Sequence, residues 1–215
     1  MIIQPRNVGW IEVICGPMFS GKTEELIRRL NRAKYARQKL QIFKPLIDDR
    51  YDAESIVSHN KTALPSHPVA DVAQMREELD AHVEVIGIDE VQFFDDEVID
   101  FCNEMADKDC RVICAGLDQD YRNEPFGPMP ALLAAAEYVT KLNAICMQCG
   151  NPAHRSYRLA TNPQQVLVGS AERYEARCRS CFGEGYTSAM DTDRAEADQP
   201  VLEQSGTDQP VTEET

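Results

Sequence analysis

Residues 16–23 read Gly-Pro-Met-Phe-Ser-Gly-Lys-Thr, and this octapeptide restricts the fold more than any other stretch. It fits G-x-x-x-x-G-K-[ST], follows an apolar β-branched segment (9–15) and opens an amphipathic one (23–37). In that second segment Leu26, Ile27, Leu30 and Ala33 make an apolar stripe, with Arg28, Arg29 and Arg32 between them. Strand, glycine turn and helix in this order build a phosphate cradle. Gly16 and Gly21 let backbone N–H groups face the phosphates, and the helix N-terminus adds partial positive charge. Lys22 has the place to reach the β- and γ-phosphates, and the Thr23 hydroxyl the place to ligate Mg²⁺. The motif indicates a nucleoside triphosphate with magnesium; it does not name a reaction.

Such a loop belongs in a parallel sheet, and the rest of the chain agrees. Segments 39–44, 83–88, 111–115 and 138–144 read as strands. Segments 71–79 (with Asp71 as cap), 95–106 and 131–136 read as helices. Residues 46–68 show no clear period and read as a long loop. The alternation predicts an α/β fold of the P-loop NTPase (RecA-like) kind with a mostly parallel sheet. It would occupy residues 1–145. Residues 146–188 read as a small zinc-bound β appendage, and 189–215 as an acidic tail too poor in large apolar residues to order itself.

Charge narrows the partners. The formal net charge is −14, and from residue 191 onward eight acids stand against one arginine. Such a field repels phosphate backbones, so nucleic-acid binding is not expected. No apolar run approaches the roughly 20 residues of a membrane span, and no leader pattern opens the sequence. The expected location is the cytoplasm, with no membrane partner.

Eight cysteines divide into two groups. Cys15, Cys102, Cys110 and Cys114 lie in or beside apolar segments, where a buried thiol acts as a small hydrophobe. Cys146-x-x-Cys149 and Cys178-x-x-Cys181 are two C-x-x-C pairs with 28 residues between them. Four thiolates suit tetrahedral zinc, and a site filled by protein ligands is structural. Two disulfides are the alternative, disfavoured in a reducing compartment.

The strand at 83–88 ends in Asp89-Glu90. In phosphate-loop enzymes an acid at such a strand end holds Mg²⁺, and Asp89 has that place. Glu90 points the other way if strand geometry continues, toward a second substrate whose hydroxyl proton it would accept. A helix-capping pair of acids after a core strand is the bland alternative.

These residues together resemble a known family. Gly-Pro-Met-Phe-Ser-Gly-Lys-Thr at 16–23, Asp-Glu-Val-Gln-Phe-Phe at 89–94, Leu-Asp-Gln-Asp-Tyr with Pro-Phe-Gly at 117–127, and the two C-x-x-C pairs are similar to the cytosolic, zinc-containing (type II) thymidine kinases. The resemblance runs from about residue 9 to 186. It implies ATP-dependent phosphorylation of thymidine to dTMP, Mg²⁺ with ATP, structural Zn²⁺, feedback inhibition by dTTP and a homotetramer. It implies ATP contacts from Gly16, Pro17, Met18, Phe19, Ser20, Gly21, Lys22 and Thr23, and from Asp89, Glu90, Val91 and Gln92, with Thr23 and Asp89 at the magnesium. Glu90 matches the catalytic base acting on the 5′-hydroxyl. Asp48 and Arg50 match a segment near the phosphates and sugar. Met18, Phe93, Leu117, Tyr121 and Phe126 match the lining of the thymine pocket. Leu167, Val168 and Gly169 fall in the family's lasso loop, whose main chain holds the base, and Tyr174 helps enclose it. Tyr121 stands where Phe is usual, and Val91 where a smaller residue is common.

Two other functions remain open on the residues alone. A motor or recombinase-like ATPase would use Glu90 to activate water, but would want a basic groove. A zinc-ribbon interaction module would not need a complete phosphate loop. Dependence of ATP consumption on a nucleoside separates the first of these from a kinase.

Overall fold

Six strands form the central sheet of the computed structural model, which describes residues 8–47, 55–57, 63–159 and 173–183. In chain order the elements are β1 (Trp10–Cys15), α1 (Lys22–Tyr35), β2 (Leu40–Pro45), β3 (Ser55–Val57), β4 (Ala63–Pro65) and β5 (His67–Val69). Next come α2 (Val72–Glu77), β6 (Val85–Ile88), α3 (Glu97–Asp107), β7 (Arg111–Gly116), α4 (Met129–Ala135) and β8 (Tyr138–Lys141). The cysteine-rich part adds β9 (Ala144–Ile145), β10 (Pro152–Ala153), β11 (Arg155–Arg158) and β12 (Tyr174–Arg177). The sheet order is β5-β2-β6-β7-β1-β8, and every pairing in it is parallel. Contacts group Met1–Phe182 into one unit and Gly183–Thr215 into a second; every element named here lies in the first.

Period-two alternation sorts each central strand between two apolar layers. Ile11, Val13 and Cys15 of β1, Ile86 and Ile88 of β6, and Val112 and Cys114 of β7 face one layer. Val72 and Met75 of α2, Val98, Phe101, Cys102 and Met105 of α3, and Met129 and Leu132 of α4 complete it. Ile14, Val85, Ile113 and Ala115 face the other, with Leu26, Ile27, Leu30 and Ala33 of α1. That is the stripe read from the sequence, and each fully buried Leu contributes about 1.5–3 kcal/mol. The helix α2 starts where expected: the Asp71 carboxylate caps it, accepting from the Gln74 N–H at 2.8 Å. Cys15, Cys102, Cys110 and Cys114 are buried free thiols, also as expected.

Three readings need correction. Residues 46–68 are not one loop. They hold the antiparallel pair β3–β4, whose Ile56 and Leu64 cover α1, and the edge strand β5 beside β2. Strands of three residues are too short to show a period. The strand read over 138–144 is two pieces: β8 follows β1, its ladder ending where the Leu142 N–H donates to the Cys15 carbonyl at 2.8 Å, and β9 pairs instead with β10. Glu90 does not continue the strand. β6 stops at Ile88, and Glu90 takes a left-handed conformation (φ 49, ψ 40) before a 3-10 turn at Val91–Phe93. Its direction is therefore set by that turn and not by strand alternation.

Glu12, in the middle of β1, has no exposed surface. Its carboxylate accepts from Arg29 Nη1, Arg111 Nε and Trp10 Nε1, each at 2.7 Å. Burial alone would raise its pKa, but the Arg111 hydrogen bond and charge, then Trp10 and Arg29, outweigh it and hold the carboxyl below its usual value. Arg29 also binds Glu25, which is pulled down to about 2, chiefly by its hydrogen bond with Arg28. Glu12→Gln leaves the buried guanidiniums of Arg29 and Arg111 without their shared counter-charge. Urea unfolding should show a loss of about 3–5 kcal/mol. Since both carboxyls have lower pKa values folded than unfolded, stability should hold above about pH 4.5. It should then fall as the pH drops from there toward 2. Unchanged urea midpoints in the variant would show that the network contributes nothing.

Candidate active site

The loop of 16–21, Thr23 and Asp89 lie at the C-terminal edge of the parallel sheet, where crevices form in open α/β folds. The loop after β1 runs from Gly16 to Gly21 into α1. Gly16 has φ 145, and a Cβ there would lie 2.4 Å from the Leu142 carbonyl oxygen, so glycine is required. Phe19 is also at positive φ (64). The Lys22 ammonium donates to the Pro17 carbonyl at 2.9 Å and Ser20 Oγ donates to the same oxygen at 2.8 Å. These bonds close the loop and keep Lys22 folded over it. Thr23, in the first turn of α1, has its Oγ1 3.5 Å from Asp89 Oδ1 at the end of β6. A hydroxyl and a carboxylate this close from two elements form a hard-oxygen pair suited to Mg²⁺.

Asp89 and Glu90 are both buried. The Glu90 N–H donates to Asp89 Oδ1 at 3.0 Å, and Glu90 Oε2 accepts from Gln92 Nε2 at 2.6 Å. Val91 is fully buried in the layer behind the site. The turn also delivers Phe93, whose ring meets Phe126 edge-on with centroids 5.6 Å apart. Phe126 N–H donates to the Asp118 carbonyl, which anchors the loop after β7 beside Leu117. Tyr121 lies under the Arg158 guanidinium, 3.6 Å from its ring centroid, and Arg158 Nη2 donates to the Tyr174 hydroxyl at 2.7 Å. Two of the expected pocket residues, Tyr121 and Tyr174, thus share one cation. Asp48, Arg50, Leu167, Val168 and Gly169 lie outside the described residues, as does the tail.

No cysteine of the sheet is poised as a nucleophile. Cys15 ends β1 beside the loop, and burial, then the Asp118 carboxylate, pushes its thiol up to about 11.

The sulfurs of Cys146, Cys149, Cys178 and Cys181 lie within 4.8 Å of one another. Four thiolates at a Zn–S distance of about 2.3 Å would stand roughly 3.8 Å apart, so the cluster fits tetrahedral zinc. All eight cysteines are free thiols in the structure. The pairs sit at the ends of short strands: β9 pairs with β10, β11 with β12, and the Met147 N–H donates to the Ala176 carbonyl.

Sequence reasoning missed how this base holds the phosphate loop. The Met18 N–H donates to Ser156 Oγ of β11 at 3.0 Å. Phe19 packs on Ala144, Cys146, Ala153, Ala176 and Cys178. No spacing in the sequence signals a contact 138 residues apart.

Comparison with known proteins bears on the same residues. The family model described as thymidine kinase matches residues 9–182. A curated relative named thymidine kinase, from Rhodothermus sp. (strain ITI 518), is 55% identical over 176 residues, covering 82% of each chain. Among solved structures, domain III of the Thermotoga maritima replication initiation protein DnaA is similar at TM-score 0.38 and 18% identity. That match covers 61% of this chain and 54% of the other, a likeness too slight to carry an argument.

Proposed function

The chain belongs to the thymidine kinase family, a group of ATP-dependent transferases, and from that premise we propose how its residues divide the phosphorylation of thymidine to dTMP. Glu90 is the general base. It takes the proton of the 5′-hydroxyl as that oxygen attacks the γ-phosphorus; the bond to the β-phosphate oxygen breaks and ADP leaves. Lys22 and the backbone N–H groups of 16–23 hold the phosphates. Mg²⁺ held through Thr23 and Asp89 would neutralise charge between the β- and γ-phosphates. Asp89, Glu90, Val91 and Gln92 flank the nucleotide, and Asp48 and Arg50 act near the phosphates and sugar. Met18, Phe93, Leu117, Tyr121, Phe126 and Tyr174 line the base slot, closed by the main chain of Leu167, Val168 and Gly169.

The observation that best supports this reading is the buried Glu90 carboxylate set beside Asp89 and 2.6 Å from Gln92, on the turn that carries Phe93. A base held there serves an acceptor stacked on Phe93, not bulk water. ATP consumption should therefore be negligible until a nucleoside is added. Rapid hydrolysis of ATP alone would favour the motor-like reading.

Zn²⁺ would be held by the four cysteines as a structural ion, in a module of residues 146–188 that follows the domain of 1–145 and precedes the acidic stretch of 189–215. Because β11 and the cysteine base hold Met18 and Phe19, losing the metal should disturb the phosphate loop as well as the base slot. Elemental analysis should give one zinc per chain. Cys146→Ser should lose it and raise the KM for both ATP and thymidine. A metal-free chain with wild-type KM values would defeat this assignment.

The remaining features rest on the family resemblance and on chemistry. The protein is a cytoplasmic homotetramer, inhibited by dTTP, which carries both the base and a triphosphate. It has no nucleic-acid or membrane partner. Among the described residues no helix is long and apolar enough to cross a membrane.

A further inference from the structure

We infer that Gln92 is a positioning residue, which ties the Glu90 carboxylate to the loop bearing Leu117 and so sets the distance from base to nucleoside slot. This rests on Glu90 being the base. The Gln92 side chain is buried, 2% exposed, and both ends of its amide are used. Nε2 donates to Glu90 Oε2 at 2.6 Å, and Oε1 accepts from the Leu117 N–H at 3.0 Å. A carboxylate only accepts and a backbone N–H only donates, so these partners fix which way the amide points.

Backbone comes close to Gln92 on two sides. A Cβ at Gly116 would stand 2.7 Å from Gln92 Oε1, and one at Gly127 2.4 Å from the Gln92 carbonyl oxygen. Both glycines are close-approach positions, one at the end of β7 and one beside Phe126. Phe93, the next residue, is the ring that meets Phe126. One side chain thus joins the carboxylate, the 3-10 turn and the loop after β7. Glu90 itself sits at φ 49, a conformation non-glycine residues seldom adopt, so its placement needs outside support. The amide contributes to it: a charge-assisted hydrogen bond restrains one carboxylate oxygen.

A merely structural role is separable by a double-mutant cycle, because a residue acting through Glu90 loses its effect once Glu90 is neutral. Gln92→Met keeps the length and removes both hydrogen bonds. In the native background it should lower kcat by about tenfold to a hundredfold; in a Glu90→Gln background the same change should cost less than about twofold. Gln92→Glu, which keeps the shape, is the second arm. Alone it sets two carboxylates together and should cost at least as much. With Glu90→Gln the donor and acceptor are exchanged, and it should add little further loss. Equal fold-losses in both backgrounds, for whichever variant folds, overturn the inference. Full activity of Glu90→Gln alone would instead overturn the assignment of the base.

Discussion

Glu90→Gln is expected to lower kcat for thymidine phosphorylation by about 10²–10⁴, with the Kd for ATP nearly unchanged. The substitution keeps volume and leaves an oxygen for Gln92 Nε2, so the turn at Val91–Phe93 should persist. What it removes is the basic carboxylate that, in the proposed mechanism, accepts the 5′-hydroxyl proton. Phosphate binding is assigned in this proposal to other groups: Lys22, Thr23 and the loop closed by the Pro17 carbonyl. The loss should therefore fall on turnover, and isothermal titration with an unreactive ATP analogue should show no comparable change. A variant with near-native kcat would remove Glu90 from the chemistry.

Thymidine should exceed deoxycytidine in kcat/KM by about 10⁴ or more. Thymine offers acceptors at O2 and O4 and a donor at N3; cytosine reverses the polarity at N3 and at the exocyclic group. On the proposal that the main chain of Leu167, Val168 and Gly169 reads the base, its donors could not rotate to suit the other base, and buried polar groups would go unpaired. The residues proposed as walls of the base slot are largely aromatic. Phe93 and Phe126 stand edge to face, and the Arg158 guanidinium carbon lies 3.6 Å from the Tyr121 ring centroid. Purines should fail on size. Deoxyuridine lacks one methyl, worth about 1–3 kcal/mol, and should be a poorer substrate, not an excluded one. Competition assays with the four deoxynucleosides give the ratios directly. Equal values for thymidine and deoxycytidine would sink this account of the pocket while leaving the kinase intact.

The sequence made some of this readable because local chemistry and global fold coincide there. The octapeptide at 16–23 needs a strand before it and a helix after it, and β1 and α1 supply both. Cys146, Cys149, Cys178 and Cys181 announce their convergence by spacing. Other features depend on contacts that no local pattern encodes. Glu12 meets Arg29 and Arg111 from positions 17 and 99 residues away. Ile56 and Leu64 cover α1 from strands too short to alternate. Glu90 was expected to alternate with Asp89, and a left-handed backbone overrides that periodicity. Gln92 looked like one more contact to the nucleotide. Its double attachment, to Glu90 and to Leu117, needs β6 and β7 to be neighbours before it can be seen.

The central claim is that this chain moves the γ-phosphate of ATP to the 5′-oxygen of thymidine. The most direct measurement incubates the full chain with Mg²⁺, γ-labelled ATP and thymidine, and identifies the labelled product. The account predicts label in dTMP at the 5′-position, one ADP formed per dTMP, and almost no labelled inorganic phosphate when thymidine is left out. Label appearing as inorganic phosphate at the same rate with and without thymidine would contradict it.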